Sequence, residues 1–333
     1  MVLAVFYTLL QLLLLSALGF GLSRFRGYPR VLFQGINRLT LNVGLPVYFF
    51  VSISKTSVAD IRSGWIFPIA AACLIGTNLA ISAPLFRLFR FEEADRRAGM
   101  ALSAFGNSSY IPLALMELFP ITIPAIAQRF SALTASVYVG TFLLVNSPVQ
   151  WTLGNWLVAG QGRRPRVTEL VTPPFIGIVA GLAVVLLGIQ PILFDPSLPL
   201  LYAYKAMEKI GSLTLPLVMV CLGAMIADLP FDRESGREMI GMALGVSAVR
   251  YLAMPLLFVA LYLVVLRPAG ITPVQTWVIF LEMHVPPATN LTIMAARAGR
   301  NEHHVSFTLL FTYLAYVLVL PVFLLVFLRL TGT

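Results

Sequence analysis

Gly106-Asn107-Ser108-Ser109-Tyr110-Ile111-Pro112 and Glu282-Met283-His284-Val285-Pro286-Pro287-Ala288-Thr289-Asn290 each break an otherwise apolar stretch with polar and helix-disrupting residues. They sit at corresponding places in the two halves of the chain. In hydrocarbon an unsatisfied backbone group is costly, so a broken helix survives at depth only where it lines a cavity or packs against protein. A pair of such breaks, one per half, is the sequence pointer to a membrane binding site between two repeats.

Composition agrees with that setting. The chain is 59% hydrophobic and only 11% charged, with a mean hydropathy of +0.88, which places it among polytopic membrane proteins. A bilayer core about 30 Å thick requires about 20 apolar residues per helix. Ten runs qualify, near 3–22, 33–53, 65–86, 98–118, 131–159, 171–190, 211–228, 239–265, 272–296 and 305–328. The first has no positively charged lead-in and no small-residue cleavage site after it, so it reads as a retained span rather than a signal peptide. Cys73 and Cys221 both fall inside apolar spans, where they act as packing residues rather than as a disulfide or a metal site.

The formal charge of +9 does not imply nucleic acid, because the basic residues sit in short connections. Connections after spans 1, 3, 5, 7 and 9, together with Arg38 near the start of span 2, carry fifteen of the 23 Lys and Arg residues, the opposite side carries seven, and Arg250 lies within span 8. The positive-inside rule puts the richer side in the cytoplasm and both termini outside, in a multi-pass protein of the cell membrane.

An internal repeat is visible. Asn42-Val43-Gly44-Leu45-Pro46 is echoed by Ser212-Leu213-Thr214-Leu215-Pro216 at an offset of 170, and Pro148 in span 5 by Pro321 in span 10 at an offset of 173. Matches in the same order at nearly one offset indicate two five-span copies. Five is odd, so the second copy enters from the opposite side and the repeats are inverted. The expected organisation is a first repeat over 1–160, a cytoplasmic link over 161–170 and a second repeat over 171–333. Spans 4 and 9 then cross near the midplane, offering helix N-termini to an anion and carbonyls to a cation.

Asn42-x-x-x-Pro46, the Gly106 to Pro112 segment, Leu215-Pro216 with Leu222-Gly223, and Pro286-Pro287-Ala288 resemble the auxin efflux carrier family along essentially the whole chain. That family includes plant auxin exporters and bacterial carriers such as those proposed for malonate. The resemblance implies the fold of the bile-acid/sodium symporters and sodium/proton antiporters, with a scaffold domain and a crossover domain drawn from both repeats. It implies a substrate site shaped by Asn107, Pro112, Pro286 and Pro287. The long cytoplasmic loop of the large plant members has no counterpart here, so regulation by loop phosphorylation is not implied.

Asn107 and Asn290 offer amides that donate to a carboxylate; helix capping is their alternative role. Ser108, Ser109 and Tyr110 join them as candidate substrate contacts, and Asn42 either faces the cavity or satisfies the carbonyl freed by Pro46. Glu282, an acid inside an apolar run, is a functional candidate by position. By resemblance to the cation-coordinating glutamate of sodium-coupled bile-acid symporters it is expected to bind the coupling ion, Na+ or H+, with Asn107, Ser108, Ser109 and Ser136 contributing hard oxygens to a sodium site. Its alternative is a protonated or paired group beside His284 or Arg250. His284 is a proton-relay candidate or a structural hydrogen-bond donor. Arg250 requires a partner, since burying it uncompensated costs at least ~2.5 kcal/mol. His303 and His304 read as solvated, Glu117 as the exposed end of span 4, and Asp228 and Asp232 as a wet turn. Gly19, Gly21, Gly177 and Gly181 read as close-packing positions, leaving a homodimer through those faces open.

No nucleotide-binding loop and no H-E-x-x-H pattern occurs, so neither ATP hydrolysis nor an enzyme is expected. The expectation is a secondary transporter of a small organic anion, with no cofactor beyond a coupling ion. A symmetric channel filter and a soluble sensor domain both lack a counterpart in this sequence.

Overall fold

The computed structural model describes residues 2–89, 91–122, 132–160, 171–227, 236–299 and 301–332. The 161–170 link and the residues Asp228 and Asp232 lie outside the described residues. No strand forms among those described; a single isolated antiparallel bridge joins Gly106 to Pro287.

The first half contains α1 (Val2–Arg24), α2 (Arg30–Leu39), α3 (Leu45–Ser54), α4 (Val58–Ser63), α5 (Ile66–Leu88), α6 (Glu93–Ala104), α7 (Tyr110–Thr122), α8 (Ala132–Val149) and α9 (Asn155–Ala159). The second contains α10 (Pro173–Leu186), α11 (Gln190–Leu193), α12 (Pro199–Ala227), α13 (Arg237–Ala248), α14 (Met254–Leu261), α15 (Pro273–His284), α16 (Asn290–Ala298) and α17 (Glu302–Thr331). Wide π-helical turns over Thr40–Gly44, Gln150–Gly154 and Val249–Ala253 join α2 to α3, α8 to α9 and α13 to α14. Two of them contain the residue four places before a proline, Asn42 before Pro46 and Tyr251 before Pro255, while the third follows Pro148. A proline leaves the carbonyl four residues earlier without its donor and crowds it, and a widened turn accommodates that misfit without ending the helix.

Among the described residues, five continuous helical stretches are long and apolar enough to cross a membrane: Val31–Ser54, Val58–Leu88, Pro199–Ala227, Arg237–Leu266 and Glu302–Thr331. Large apolar side chains such as Leu18, Leu244, Leu256, Val264 and Leu318 face outward from the bundle. In water such a surface would aggregate, whereas in a bilayer it is ordinary lipid contact.

The helices pack in two groups. In one, α1 lies along α12, and α3 along α10 and α12. In the other, α5 packs on α6 and α8, α13 on α17, and α9 on α16. Close approach within the first group depends on glycines. A Cβ on Gly177 would lie 2.1 Å from the Pro46 carbonyl oxygen, and one on Gly181 would lie 2.8 Å from Ile53 Cβ. Gly21, by contrast, has nothing within 4 Å of such a position, so its proposed packing role is not realised among the described residues.

The sequence reading placed several boundaries differently. α12 begins at Pro199 rather than near 211, and the second break is confined to 285–289, so that Glu282 and His284 are the closing turn of α15. Glu117 is not the exposed end of a span, because it is largely buried beside the Tyr48 hydroxyl. His304 is not solvated: its Nδ1 lies 2.7 Å from Asp95 Oδ1, with Glu238 close by. Cys221 is buried against the Phe33 carbonyl, while Cys73 faces outward.

Candidate functional site

The two breaks meet. The Asn107 N–H donates to the Pro286 carbonyl at 2.8 Å, and the Ala288 N–H donates to the Phe105 carbonyl at 3.0 Å. Phe105 and Val285, the residues that end α6 and α15, are extended. Backbone groups that the breaks release therefore satisfy one another across the crossing, as burial requires. Pro286 and Pro287 shape this junction; Pro287 forms the bridge to Gly106 and Pro286 supplies a carbonyl. Pro112 sits in the first turn of α7, where its missing N–H costs nothing.

The crossing gives each side a different electrostatic character. On one side the N-termini of α7 and α16 open onto a cavity of about 880 Å³ whose wall includes Asn107, Ser108, Ser109, Tyr110, Thr289 and Asn290. Each helix N-terminus carries roughly half a positive charge and free N–H groups. Asn107 acts as a cap: its Oδ1 accepts from the Tyr110 N–H at 3.3 Å, and its Nδ2 donates to the Tyr313 hydroxyl at 2.7 Å. Capping and wall-lining are thus combined in one side chain. Asn42 also faces the cavity from the Thr40–Gly44 turn and is exposed there.

Three wall residues were not singled out from the sequence. Asn37 accepts from the Tyr110 hydroxyl at 3.4 Å, tying α2 to α7. Gln150 is buried on the cavity wall, and its Nε2 has no hydrogen-bond partner among the described residues. An unpaired buried amide costs roughly 1–3 kcal/mol, so an acceptor entering the cavity would relieve it. Arg297 stands with Arg38 and Glu302 on the wall toward the arginine-rich ends of the helices. The signal for Asn37 and Gln150 existed, since a polar side chain within an apolar run is a functional pointer.

On the other side of the crossing lies Arg250, carried by the Val249–Ala253 turn and only 1% exposed. Its Nε donates to the Leu102 carbonyl at 3.1 Å and its Nη1 to the Val285 carbonyl at 2.7 Å. It therefore holds both broken helices at their C-terminal ends, which resolves its role among the alternatives as a clamp rather than a snorkelling side chain. Glu282 is buried beside the Ser108 hydroxyl and within electrostatic reach of Arg250. It is not part of the cavity wall. His284 donates from Nδ1 to the Phe280 carbonyl and is packed among Phe258, Phe280 and Phe323.

Sodium coordination needs several hard oxygens converging on one point, and the candidate ligands do not supply them. Asn107 Oδ1 is occupied by the Tyr110 N–H, Ser136 lies beside the Tyr48 hydroxyl at 3.1 Å, and the Leu102 and Val285 carbonyls hold Arg250. Glu282, Ser108 and Ser109 remain, which is too few.

A family model described as "Membrane transport protein" matches residues 4–162 and 162–324. The chain is 23% identical over 315 residues to a putative malonate transporter of Rhizobium meliloti (strain 1021), a match covering 90% of this chain and 88% of that protein. It is 27% identical over 190 residues to Protein PIN-LIKES 5 of Arabidopsis thaliana, 56% of this chain and 47% of that one. Against Protein PIN-LIKES 2 of the same plant it is 25% identical over 172 residues, 50% and 36% respectively. The matches thus span about half or less of each plant relative. With apolar helices broken at a shared cavity and family matches along nearly its whole length, this chain is a membrane transport protein rather than an enzyme, and it belongs to the auxin efflux carrier family.

Proposed function

We propose that the chain is a secondary transporter of a small organic anion, built as two inverted five-span repeats in the cell membrane with both termini outside. The observation that carries this reading is the convergence of the α7 and α16 N-termini on one cavity. Two half-charges sum to about one positive charge, the complement of one carboxylate. The unpaired Gln150 amide and the polar Asn42 and Asn290 side chains supply further hydrogen bonds to it. The match to a putative malonate transporter favours a carboxylic acid, and auxin-like acids are a second class to test.

The packing groups supply the moving parts. The group containing α1, α3, α10 and α12 acts as scaffold, and the group containing the crossing acts as the crossover domain. Tyr110 to Asn37 is one of the contacts that must break when the crossover domain slides in an elevator-type cycle. Arg38 and Arg297 on the cavity wall stand at the arginine-rich ends of α2 and α16, so the described state faces the cytoplasm under the positive-inside rule. Transport is energised by the membrane potential or by a proton at Glu282, a buried carboxyl beside the Ser108 hydroxyl.

Uptake of labelled malonate and other mono- and dicarboxylates into proteoliposomes, with sodium, pH and potential gradients varied separately, tests this reading. Saturable flux is the expected result, and no flux for any acid would overturn the substrate class. Asn107→Ala removes the α7 cap and the Tyr313 partner together. It is expected to lower flux roughly tenfold or more, from a cap worth about 1 kcal/mol and a buried hydrogen bond of similar size. In Glu282→Gln, loss of the response to a pH gradient with flux still driven by potential is expected if the proton binds there. An unchanged pH response assigns Glu282 a structural role.

A further inference from the structure

The two carbonyls that a cation would occupy at the crossing are already taken by a side chain of the protein. Leu102 lies in the last turn of α6 and Val285 caps the end of α15, so both oxygens belong to the negative ends of helix dipoles. Each end carries roughly half a negative charge, so the pair presents about one. Arg250 brings one positive charge to them through charge-assisted hydrogen bonds at 3.1 and 2.7 Å. The π-turn over Val249–Ala253 and the absence of a side chain at Gly106 make room for it, since a Cβ at Gly106 would lie 2.9 Å from Nη1.

We propose that Arg250 is a tethered counter-cation that replaces a free inorganic cation at the crossing, so that the transporter needs no sodium or potassium ion to assemble its substrate site. This deepens the reading of the chain as an organic-anion carrier and rests on it for its flux arm. With the Glu282 carboxyl beside Arg250 in its neutral form, the charges on the two faces balance without an added ion. Two N-terminal half-charges await the carboxylate, and two C-terminal half-charges are met by the guanidinium. Because the guanidinium is planar and always charged, it holds both carbonyls throughout the cycle, whereas a bound ion would have to enter and leave. Arg250 is a positioning residue here, acting through the two half-helices rather than on the substrate.

The test uses the purified full chain. Wild-type uptake of labelled malonate is expected to be the same in sodium, potassium and choline media, and a requirement for sodium or potassium would overturn the proposal. Arg250→Gly is expected to lower uptake roughly a hundredfold, as removal of one partner from a buried charged site does. Millimolar guanidinium, far below denaturing concentrations, is expected to restore most of that uptake and to raise the melting temperature of Arg250→Gly by several degrees without affecting wild type. A folded Arg250→Gly indifferent to guanidinium in both measurements would overturn it. If Arg250→Gly does not fold, Arg250→Lys carries the test: reduced uptake that stays independent of sodium supports the proposal, and uptake that becomes sodium-dependent overturns it. Should wild type move no acid at all, the carrier reading fails, while the melting response of Arg250→Gly to guanidinium still decides the place of Arg250.

Discussion

Gly223→Ala is expected to leave little folded protein. A Cβ at this position would lie 1.7 Å from the Ser16 carbonyl oxygen, and across the same contact a Cβ at Gly19 would lie 1.8 Å from the Val220 carbonyl oxygen. Both obstacles are backbone atoms of the facing helix, so no rotamer change relieves them and α1 must move off α12. In lipid no hydrophobic effect drives the two helices back together, and close van der Waals packing between small residues carries the association. Ordinary overpacking costs about 1–3 kcal/mol, and separating two helices along their length costs more. The expected result is a melting temperature in detergent lower by roughly 5 °C or more, with poor recovery of monodisperse protein. Gly21→Ala, two residues from Gly19 and on the opposite, open side of α1, is the matched control and is expected to melt at or slightly above wild type, since alanine favours helix by up to about 1 kcal/mol. Equal melting of the Gly223 and Gly21 variants would show that α1 and α12 do not approach this closely.

Much of this arrangement was readable in the sequence because the bilayer restricts what a chain can do. Composition and apolar length marked an all-helical chain with several membrane-length helices, although α12 begins at Pro199, before its apolar run. The two polar interruptions located the breaks, since lipid tolerates no other irregular backbone. The conflict between Arg250 and its apolar surroundings signalled that a partner must exist. Its partners were not readable, because they are carbonyls, which carry no residue identity, and they come from positions 148 and 35 residues away. The same limit hid the pairing of His304 with Asp95, 209 residues apart. Glu282, Asn107 and Ser108 were grouped as a sodium site by likeness to sodium-coupled symporters, with Ser136 as a further oxygen, yet residues that share a chemistry need not share a place, and Ser136 lies with Tyr48 instead. Gln150 carried a legible signal that proximity to Pro148 masked, since a proline in a helix accounts for a distortion without calling for a polar neighbour.

Gly106→Ala is expected to abolish transport while leaving the fold largely intact. The added methyl would meet Val285 Cγ2 at 2.7 Å and Arg250 Nη1 at 2.9 Å. Val285 is fully buried and follows the last turn of α15, so it has little room to yield. Either the guanidinium leaves the Val285 carbonyl, at a cost of about 1.5–3 kcal/mol for a charged hydrogen bond, or the bridge between Gly106 and Pro287 opens. Both outcomes disturb the relative placement of the α7 and α16 N-termini, on which the substrate site depends, and a fall in uptake of at least about tenfold follows. The scaffold contacts between α1 and α12 are remote from this change, so melting is expected to shift far less than in Gly223→Ala. Val285→Ala removes one of the two clashing atoms and leaves its carbonyl in place for Arg250. The double variant Gly106→Ala/Val285→Ala is therefore expected to recover part of the lost uptake, a coupling that a double-mutant cycle reads directly. Additive losses in that cycle would mean that the methyl acts elsewhere than at the junction of the two broken helices.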